Sequence, residues 1–196
     1  MNTKRIFAFA LTAIMMMVLL SSLYITGSAA KEVLALKQGS TLKLYTKNGN
    51  KYVSGVPFGT TSSALSANFK GTVKVTNSSG TALKDTDVLS NGYKVTQTSS
   101  GDMAYVIVQG DIDNNGKITV SDYMRIKRNF MGVYNLTGVS LEAADVNGDG
   151  TISSNDYLAI KVHLKNGIII NSSFTNANLV EDTPKPTGYT LPFIPA

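Results

Sequence analysis

The sequence predicts a multi-domain protein, in which a β-rich module, sandwich-like or α+β with one helix, precedes an all-α module. Before residue 110, several short runs alternate apolar and polar residues with a period of two, which is typical of half-buried strands. After residue 110, the chain repeats itself at an offset of 34 residues, and each copy carries an apolar stripe with helical spacing. The predicted divisions are a signal segment at 1–30, the β-rich module at 31–109, the helical module at 110–166 and a Pro-rich tail at 167–196.

The composition excludes several classes of chemistry. The 196 residues include no Cys and one His, which excludes disulfide scaffolds, thiol catalysis, Cys-ligated zinc and multi-His metal sites. The formal net charge of +5 rests on scattered lysines rather than on a basic stripe with interleaved aromatic residues. We therefore expect no nucleic-acid partner.

Residues 1–30 have the organisation of a secretory signal. Lys4 and Arg5 precede an uncharged apolar run, and small residues end the segment at Ala30. We expect cleavage after Ala30 and a secreted protein, extracellular or associated with the cell surface. The alternative is an uncleaved anchor, because the uncharged stretch reaches Ile25 and is long enough to span a bilayer. A membrane is a partner only in that case.

The β-rich module is predicted from four strand patterns and one helix. Alternation marks the first three strands, and a continuous apolar run marks a buried fourth strand. Thr or Ser caps, with apolar residues four apart, predict a short helix. These elements are strands at 41–46, 72–76, 93–96 and 103–108 and a helix within 60–69. Turn signals rich in Asn and Gly, such as the one at 47–50, separate the strands.

Two twelve-residue loops carry the chemistry of the helical module. Each has oxygen-bearing side chains at positions 1, 3, 5, 9 and 12, with Gly at position 6 and Ile at position 8. This is the pattern of an EF-hand calcium loop, except that it ends in Asp rather than Glu. Position 7 contributes its backbone carbonyl, so a lysine is tolerated there. The predicted ligands of two Ca²⁺ ions are Asp111, Asp113, Asn115, Lys117, Thr119 and Asp122 in the first loop, and Asp145, Asn147, Asp149, Thr151, Ser153 and Asp156 in the second.

A single cluster of Asp, Asn and Gly would indicate no more than a turn. Here two such clusters lie in register, and an apolar helical stripe follows each of them. Calcium has a strong preference for about six to eight oxygen ligands, which alternate residues of a curled loop can bring to one point. The carboxylates of each loop should repel one another without the ion, so we expect folding and metal binding to be coupled.

Two calcium loops that end in Asp, each followed by one helix and without the entering helix of a complete EF-hand, resemble a type I dockerin. The resemblance covers residues 110–166. It implies a protein that docks onto a cohesin module of a scaffolding protein, in an extracellular, cellulosome-like assembly that degrades polysaccharide. The β-rich module is similar, more weakly, to small modules that precede dockerin repeats in secreted clostridial proteins.

The resemblance also implies partner-binding positions, at the tenth and eleventh loop residues and at a basic pair on the following helix. They fall on Val120, Ser121, Lys127 and Arg128 in the first repeat, and on Ser154, Asn155, Lys161 and Val162 in the second. The pair at 127–128 fits the pattern, whereas the valines depart from the usual hydroxyl and basic residues. The two faces are therefore unequal, which leaves the cohesin specificity open and makes docking in two orientations unexpected.

We expect no enzymatic activity in this chain, although the resemblance implies association with glycoside hydrolases. Asp85 and Asp87 lie in a turn-rich segment of a module too small for a usual substrate cleft, and His163 has no nucleophile motif nearby. Two alternatives stay open: a calcium-stabilised surface module without a cohesin partner, and a carbohydrate-binding accessory protein with polysaccharide as its partner. Sugar stacking would use tyrosines in strand-like segments, where packing is the commoner role. The candidates are Tyr45, Tyr52, Tyr93 and Tyr105.

Overall fold

The computed structural model describes residues 31–167 and residue 170. The described residues from Val33 onward belong to one compact unit. None of the described helices is long and apolar enough to cross a bilayer. The signal segment and most of the Pro-rich tail lie outside the described residues. The elements are β1 (Lys43–Lys47), β2 (Asn50–Val56), α1 (Ser62–Ser66), β3 (Val73–Thr76), β4 (Lys94–Gln97), β5 (Met103–Val108), α2 (Val120–Phe130), α3 (Gly138–Ala144) and α4 (Ser154–Asn166).

The strands form one sheet in the order β1-β2-β5-β4-β3. The β2–β5 pair is parallel and the other three pairs are antiparallel, so the sheet is mixed. With the short helix α1, the described part of the N-terminal region is therefore α+β, and the sandwich-like form of the prediction is wrong. Three helices, α2 to α4, follow within the described residues of the predicted helical module.

The turn between β1 and β2 has a clear signal in the sequence. Lys47 pairs with Asn50, and both residues between them have positive φ, 50° at Asn48 and 77° at Gly49. A two-residue loop with positive φ at both positions matches the right-handed twist of the strands it joins. The strand after this turn, β2, was not among the predicted strands, although it lies between two others in the sheet.

One face of the sheet holds the main apolar core of the β-rich module. Alternate residues of β5, such as Ala104 and Val106, point into it, and Leu65 and Phe69 cover it from α1 and the residues that follow. All four side chains are fully buried. This is expected because alternate side chains of a strand point to the same face, and here that face packs against a helix.

The opposite face carries three neighbouring tyrosines, Tyr45, Tyr52 and Tyr105, which we call the tyrosine face. Their ring centroids are 5.5 Å apart between the first two and 6.0 Å apart between the last two. Val139 and Ala143 of α3 pack against this face. A helix from the predicted helical module thus covers the surface that a second sheet would cover in a sandwich.

Polar contacts reinforce this packing at the edge of the tyrosine face. The Tyr45 hydroxyl donates to Glu142 Oε2 at 2.8 Å, and Lys47 Nζ lies 2.7 Å from Glu142 Oε1. Burial raises the pKa of Tyr45, and the hydrogen bond to Glu142 and its negative charge raise it further. The two predicted modules are therefore joined by apolar packing, a hydrogen bond and an ion pair.

A second apolar core lies among the helices and loops of the helical module. Ile126 of α2 and Ile160 of α4 are fully buried in it, and the rings of Tyr123 and Tyr157 meet edge to face at 6.2 Å. Two apolar residues of each loop, at positions 2 and 8, also pack in this core. Each loop is therefore attached to the core near both of its ends. These residues are Ile112, Ile118, Val146 and Ile152.

Candidate metal centre

The first loop brings three carboxylates together. Oxygens of Asp111, Asp113 and Asp122 all lie within 4.8 Å of one another. Asp111 and Asp122 are fully buried, and Asp113 Oδ1 is buried without a hydrogen-bond partner. Three hard oxygen donors around one point, one of them orphaned, fit a divalent cation such as Ca²⁺.

Asp122 is held in place by its position at the start of α2. It is the N3 residue of a capping box with Thr119, and its Oδ2 accepts from the Thr119 amide at 2.8 Å. Its Oδ1 accepts from the amides of Ile112 and Asp113 at 2.8 and 2.9 Å. Burial raises the pKa of Asp122, and the neighbouring Asp113 carboxylate adds to this, while the amide hydrogen bonds oppose it. A bound cation would supply the positive charge that favours the ionised form.

Asp111 is fixed at the other end of the loop. Its Oδ1 accepts from the Asn115 amide at 2.9 Å and its Oδ2 from the Gly116 amide at 3.0 Å. Asn114 and Gly116 have positive φ, 64° and 78°, which curls the chain so that these amides point inward. The backbone conformation therefore favours glycine at position 6. Two further donors reach Asp111 from the β-rich module, at Ser90 and Asn91.

The second loop repeats the arrangement of the first and last ligands. Asp145 accepts from the Gly150 amide at 2.8 Å, and Asp156 caps α4 as Asp122 caps α2, accepting from the Val146 and Ser153 amides. Burial raises the pKa of Asp145, and the nearby Asp156 and Asp149 carboxylates raise it further.

Asp149 distinguishes the second loop from the first. Its Oδ2 accepts from Asn147 Nδ2 at 2.8 Å, and hydrogen bonds from Thr151 lower its pKa. Within residues 31–167 and 170, the first loop is the one place where three carboxylates meet within 4.8 Å. The Asp149 carboxylate thus stays hydrogen-bonded to Asn147 and Thr151 of its own loop.

The structure also places four other predicted ligands, Thr119, Ser153, Asn115 and Lys117. The side chains of Thr119 and Ser153 cap the two helices, and Asn115 Oδ1 accepts from the Lys117 amide at 2.8 Å. The Lys117 side chain is exposed, so its charge stays outside the carboxylate cluster.

Residues 109–165 match the family profile of the dockerin type I domain. The chain contains a dockerin type I domain. This confirms the resemblance, and the matched residues differ from the predicted range by one at each end. No curated protein matches the chain. Dockerin domains in general bind calcium and dock onto cohesin modules, and the first loop of this chain has the donor set that calcium requires.

The first repeat presents its four predicted partner-binding positions to solvent. Val120 is 63% exposed, and Ser121, Lys127 and Arg128 are also exposed. Beside them, a groove of about 340 Å³ is lined by Ser121, Met124, Arg125, Arg128 and Tyr134. The predictions omitted Met124 and Tyr134, although the spacing of 121, 124 and 128 already indicates one helix face.

The second repeat differs from the first at one predicted position. Lys161 is exposed and Ser154 and Asn155 are half-buried, but Val162 is 1% exposed. The Val162 side chain is therefore buried within this chain, at a position that the resemblance assigns to a partner contact. The burial of Val162 reflects the wider buried face of α4. At 100° per residue, the buried residues from Asp156 to Val162 cover about 160° of the circumference of α4. On α2, the buried residues Asp122 and Ile126 cover only about 40°.

The residues considered for sugar binding or catalysis lie in packing contacts or in a turn. Tyr45, Tyr52 and Tyr105 form the tyrosine face under α3, and Tyr93 packs against the main core of the sheet. The Phe58 and His163 rings meet edge to face at 6.2 Å. In the turn at 84–87, Asp87 Oδ2 accepts from the Lys84 amide, and Asp85 is exposed. The tyrosine contacts favour packing over sugar stacking.

Proposed function

We propose that this chain is a secreted, non-catalytic protein that docks onto a cohesin module of a scaffolding protein through the exposed face of α2, with Ca²⁺ in both loops of its dockerin. The observation that carries the proposal is the combination of exposed apolar and basic side chains on one helix face directly behind a carboxylate cluster. The cellulosome-like, polysaccharide-degrading assembly follows from the general partners of dockerins.

The composition of the α2 face suits a protein partner. Met124 and Met131 are 46% and 62% exposed, and the Arg128 guanidinium lies 5.9 Å from the centre of the Tyr134 ring. Methionine, tyrosine and arginine are enriched in protein–protein interfaces, and contiguous exposed apolar surface marks such sites. A helix that only faced solvent would not need these side chains together.

Calcium would act on this face through Asp122. The same side chain belongs to the carboxylate cluster and to the capping box that begins α2. An ion held by Asp111, Asp113 and Asp122 would neutralise their mutual repulsion and keep Asp122 ionised in the capping box that begins the helix. Val120 and Ser121 lie in that turn, so we expect docking to need calcium.

The internal repeat provides a matched control for testing the proposal. Lys127 and Lys161 occupy equivalent positions on α2 and α4, and both are exposed. With an immobilised panel of cohesins from scaffolding proteins, we expect the chain to bind in calcium and to be released by a chelator. Lys127→Ala should weaken binding about tenfold or more, as truncation of an interface anchor does, whereas Lys161→Ala, its equivalent on α4, should leave it unchanged.

Two results would contradict the proposal. Equal losses for the two variants would remove the special role of α2. Calcium binding without retention on any cohesin would instead support the alternative of a calcium-stabilised surface module.

A further inference from the structure

Two residues of the β-rich module, Ser90 and Asn91, reach into the first loop of the dockerin, and we call this pair the clasp. Asp111 Oδ2 accepts from Ser90 Oγ at 3.0 Å and from the Asn91 amide at 2.9 Å. The three residues are almost fully buried, with exposed fractions of 4% or less. These donors come from a part of the chain outside the segment that matches the dockerin profile.

The Asn91 side chain extends the clasp to two further parts of the dockerin. Its Nδ2 donates to Asn114 Oδ1 within the loop at 2.6 Å and to the Val139 carbonyl of α3 at 3.0 Å. The next residue, Gly92, has a φ of 81°, and a Cβ there would lie 3.3 Å from Val139 Cγ2. The close approach of the clasp to loop and helix therefore depends on a glycine.

The second loop shows what a first ligand receives from its own loop. The hydrogen bonds described for Asp145 come from the amides of Asp149 and Gly150, which correspond to the Asn115 and Gly116 amides on Asp111. Asp111 has these bonds and the two from the clasp in addition. Asp111 is also more deeply buried than Asp145, so a carboxylate there has a greater need for donors.

We propose that the clasp is an outer part of the first calcium site, in which it orients Asp111 and completes its hydrogen bonding. Outer partners of metal ligands fix the ligand's orientation, and their loss commonly weakens metal binding. The calcium affinity of the first loop then depends on the β-rich module. Because coupling between two sites is reciprocal, calcium in this loop in turn stabilises the contact between module and dockerin. The inference rests on the proposed occupancy of the first loop.

Calcium titration of single-loop chains tests this directly. With Asp145→Asn and Asp149→Asn in all chains, calorimetry reports on the first loop. We expect Ser90→Ala to weaken calcium binding there about tenfold, in the range found for outer-shell losses. Ser40→Ala is the control, because the side chain of this half-buried serine also makes hydrogen bonds, in its case both within the β-rich module. It should leave the affinity unchanged.

A second measurement does not depend on a substitution. Hydrogen exchange of the Asn91 amide reports on its bond to Asp111, and we expect calcium to slow this exchange in the unaltered chain by about tenfold or more. Exchange of the β3 amides serves as the reference, because β3 lies at the edge of the sheet away from β1 and no described hydrogen bond or ion pair joins it to the dockerin.

The outcomes separate the two proposals. Absence of calcium binding to the unaltered chain would overturn the proposed function and the clasp together. Normal binding with equal affinities for Ser90→Ala and Ser40→Ala would overturn the clasp alone. If Ser90→Ala does not fold, the exchange measurement decides. The clasp proposal would then be overturned if calcium did not change the exchange rate of the Asn91 amide.

Discussion

Gly110 occupies the point where the chain leaves β5 and enters the first loop. Its φ is 90°, and its amide donates to the Ala143 carbonyl of α3 at 2.9 Å. A Cβ at this position would lie 3.0 Å from Ile118 Cδ1 and 3.3 Å from Ile170 Cδ1. Conformation and space therefore both require glycine here.

Gly110→Ala should destabilise the protein through both effects. Gly59→Ala is the matched control, because Gly59 has a φ of 83° but a Cβ added there would meet no atom within 4 Å. We expect Gly59→Ala to cost about 1 kcal/mol from backbone strain alone. Gly110→Ala should cost roughly 1–3 kcal/mol more from overpacking. Denaturant unfolding of both variants gives the comparison, and equal free energies of unfolding would show that the contacts with Ile118 and Ile170 yield without cost.

The predicted calcium ligands were the part of the site most accessible from sequence. Their chemistry lies in the spacing of one short segment, and the structure brings Asp111, Asp113 and Asp122 together as the loop pattern predicts. Ser90 and Asn91 could not be found in this way, because they lie about 20 residues upstream of the ligand they contact. No local pattern encodes that contact.

At the scale of elements, an ion pair ties the β4–β5 hairpin to β2. Lys51 Nζ donates to both carboxylate oxygens of Asp102, and the Leu34 amide donates to Asp102 Oδ2 at 2.9 Å. The hydrogen bond from Lys51 holds the pKa of Asp102 below its usual value, against the effect of burial. The ionised form is thus favoured in the folded protein over the unfolded chain.

This lowered pKa sets a pH dependence of stability. The contribution of Asp102 is fully present above its unfolded pKa of about 4 and is lost as the pH falls through the folded value. Asp102→Asn should therefore lower the free energy of unfolding at neutral pH by about 1 kcal/mol. The difference from the unaltered protein should shrink below about pH 4. Urea unfolding across this range tests the expectation, with Asp85→Asn, in an exposed turn, as control. A difference that did not change with pH would exclude the ion pair as its source.

Elements with local signals were predicted well, and those that depend on partners were not. The run at 103–108 is a strand with the predicted ends, whereas β2 was missed. Its sequence contains Gly55 with a φ of 80°, and its register with β5 shifts between Val53 and Val56. Pairing with a parallel strand about 50 residues away stabilises β2, and a search for local alternation does not detect such pairing.

At the scale of the whole molecule, the dockerin is packed onto the module before it. The tyrosine face lies under α3, Glu142 accepts from Tyr45 and pairs with Lys47, and Gly110 bonds to α3. The sequence between Val108 and Asp111 has no Pro- or Ser-rich linker, which is consistent with this packing. The sequence could not indicate the face itself, because Tyr45, Tyr52 and Tyr105 become neighbours only when three strands pair.

We expect the two parts to tumble as one body. Amide ¹⁵N relaxation in calcium should give a single rotational correlation time for β1–β5 and α2–α4, since rigid packing allows no independent rotation. The flexible-linker alternative would give two shorter values, one for each part. Small-angle scattering on the same sample should agree with one particle rather than with two freely moving ones.

The tyrosine face also bears on how this protein could exchange parts with others during evolution. The family profile matches residues 109–165 alone, which would suggest a boundary near residue 110. A recombination event at residue 110 would nevertheless bring Tyr52 and Ile107, both nearly inaccessible now, to the surface. It would also leave Asp111 without two of its donors. The segment that can be exchanged without loss of packing is therefore larger than the dockerin. We expect the β-rich module and the dockerin to evolve together.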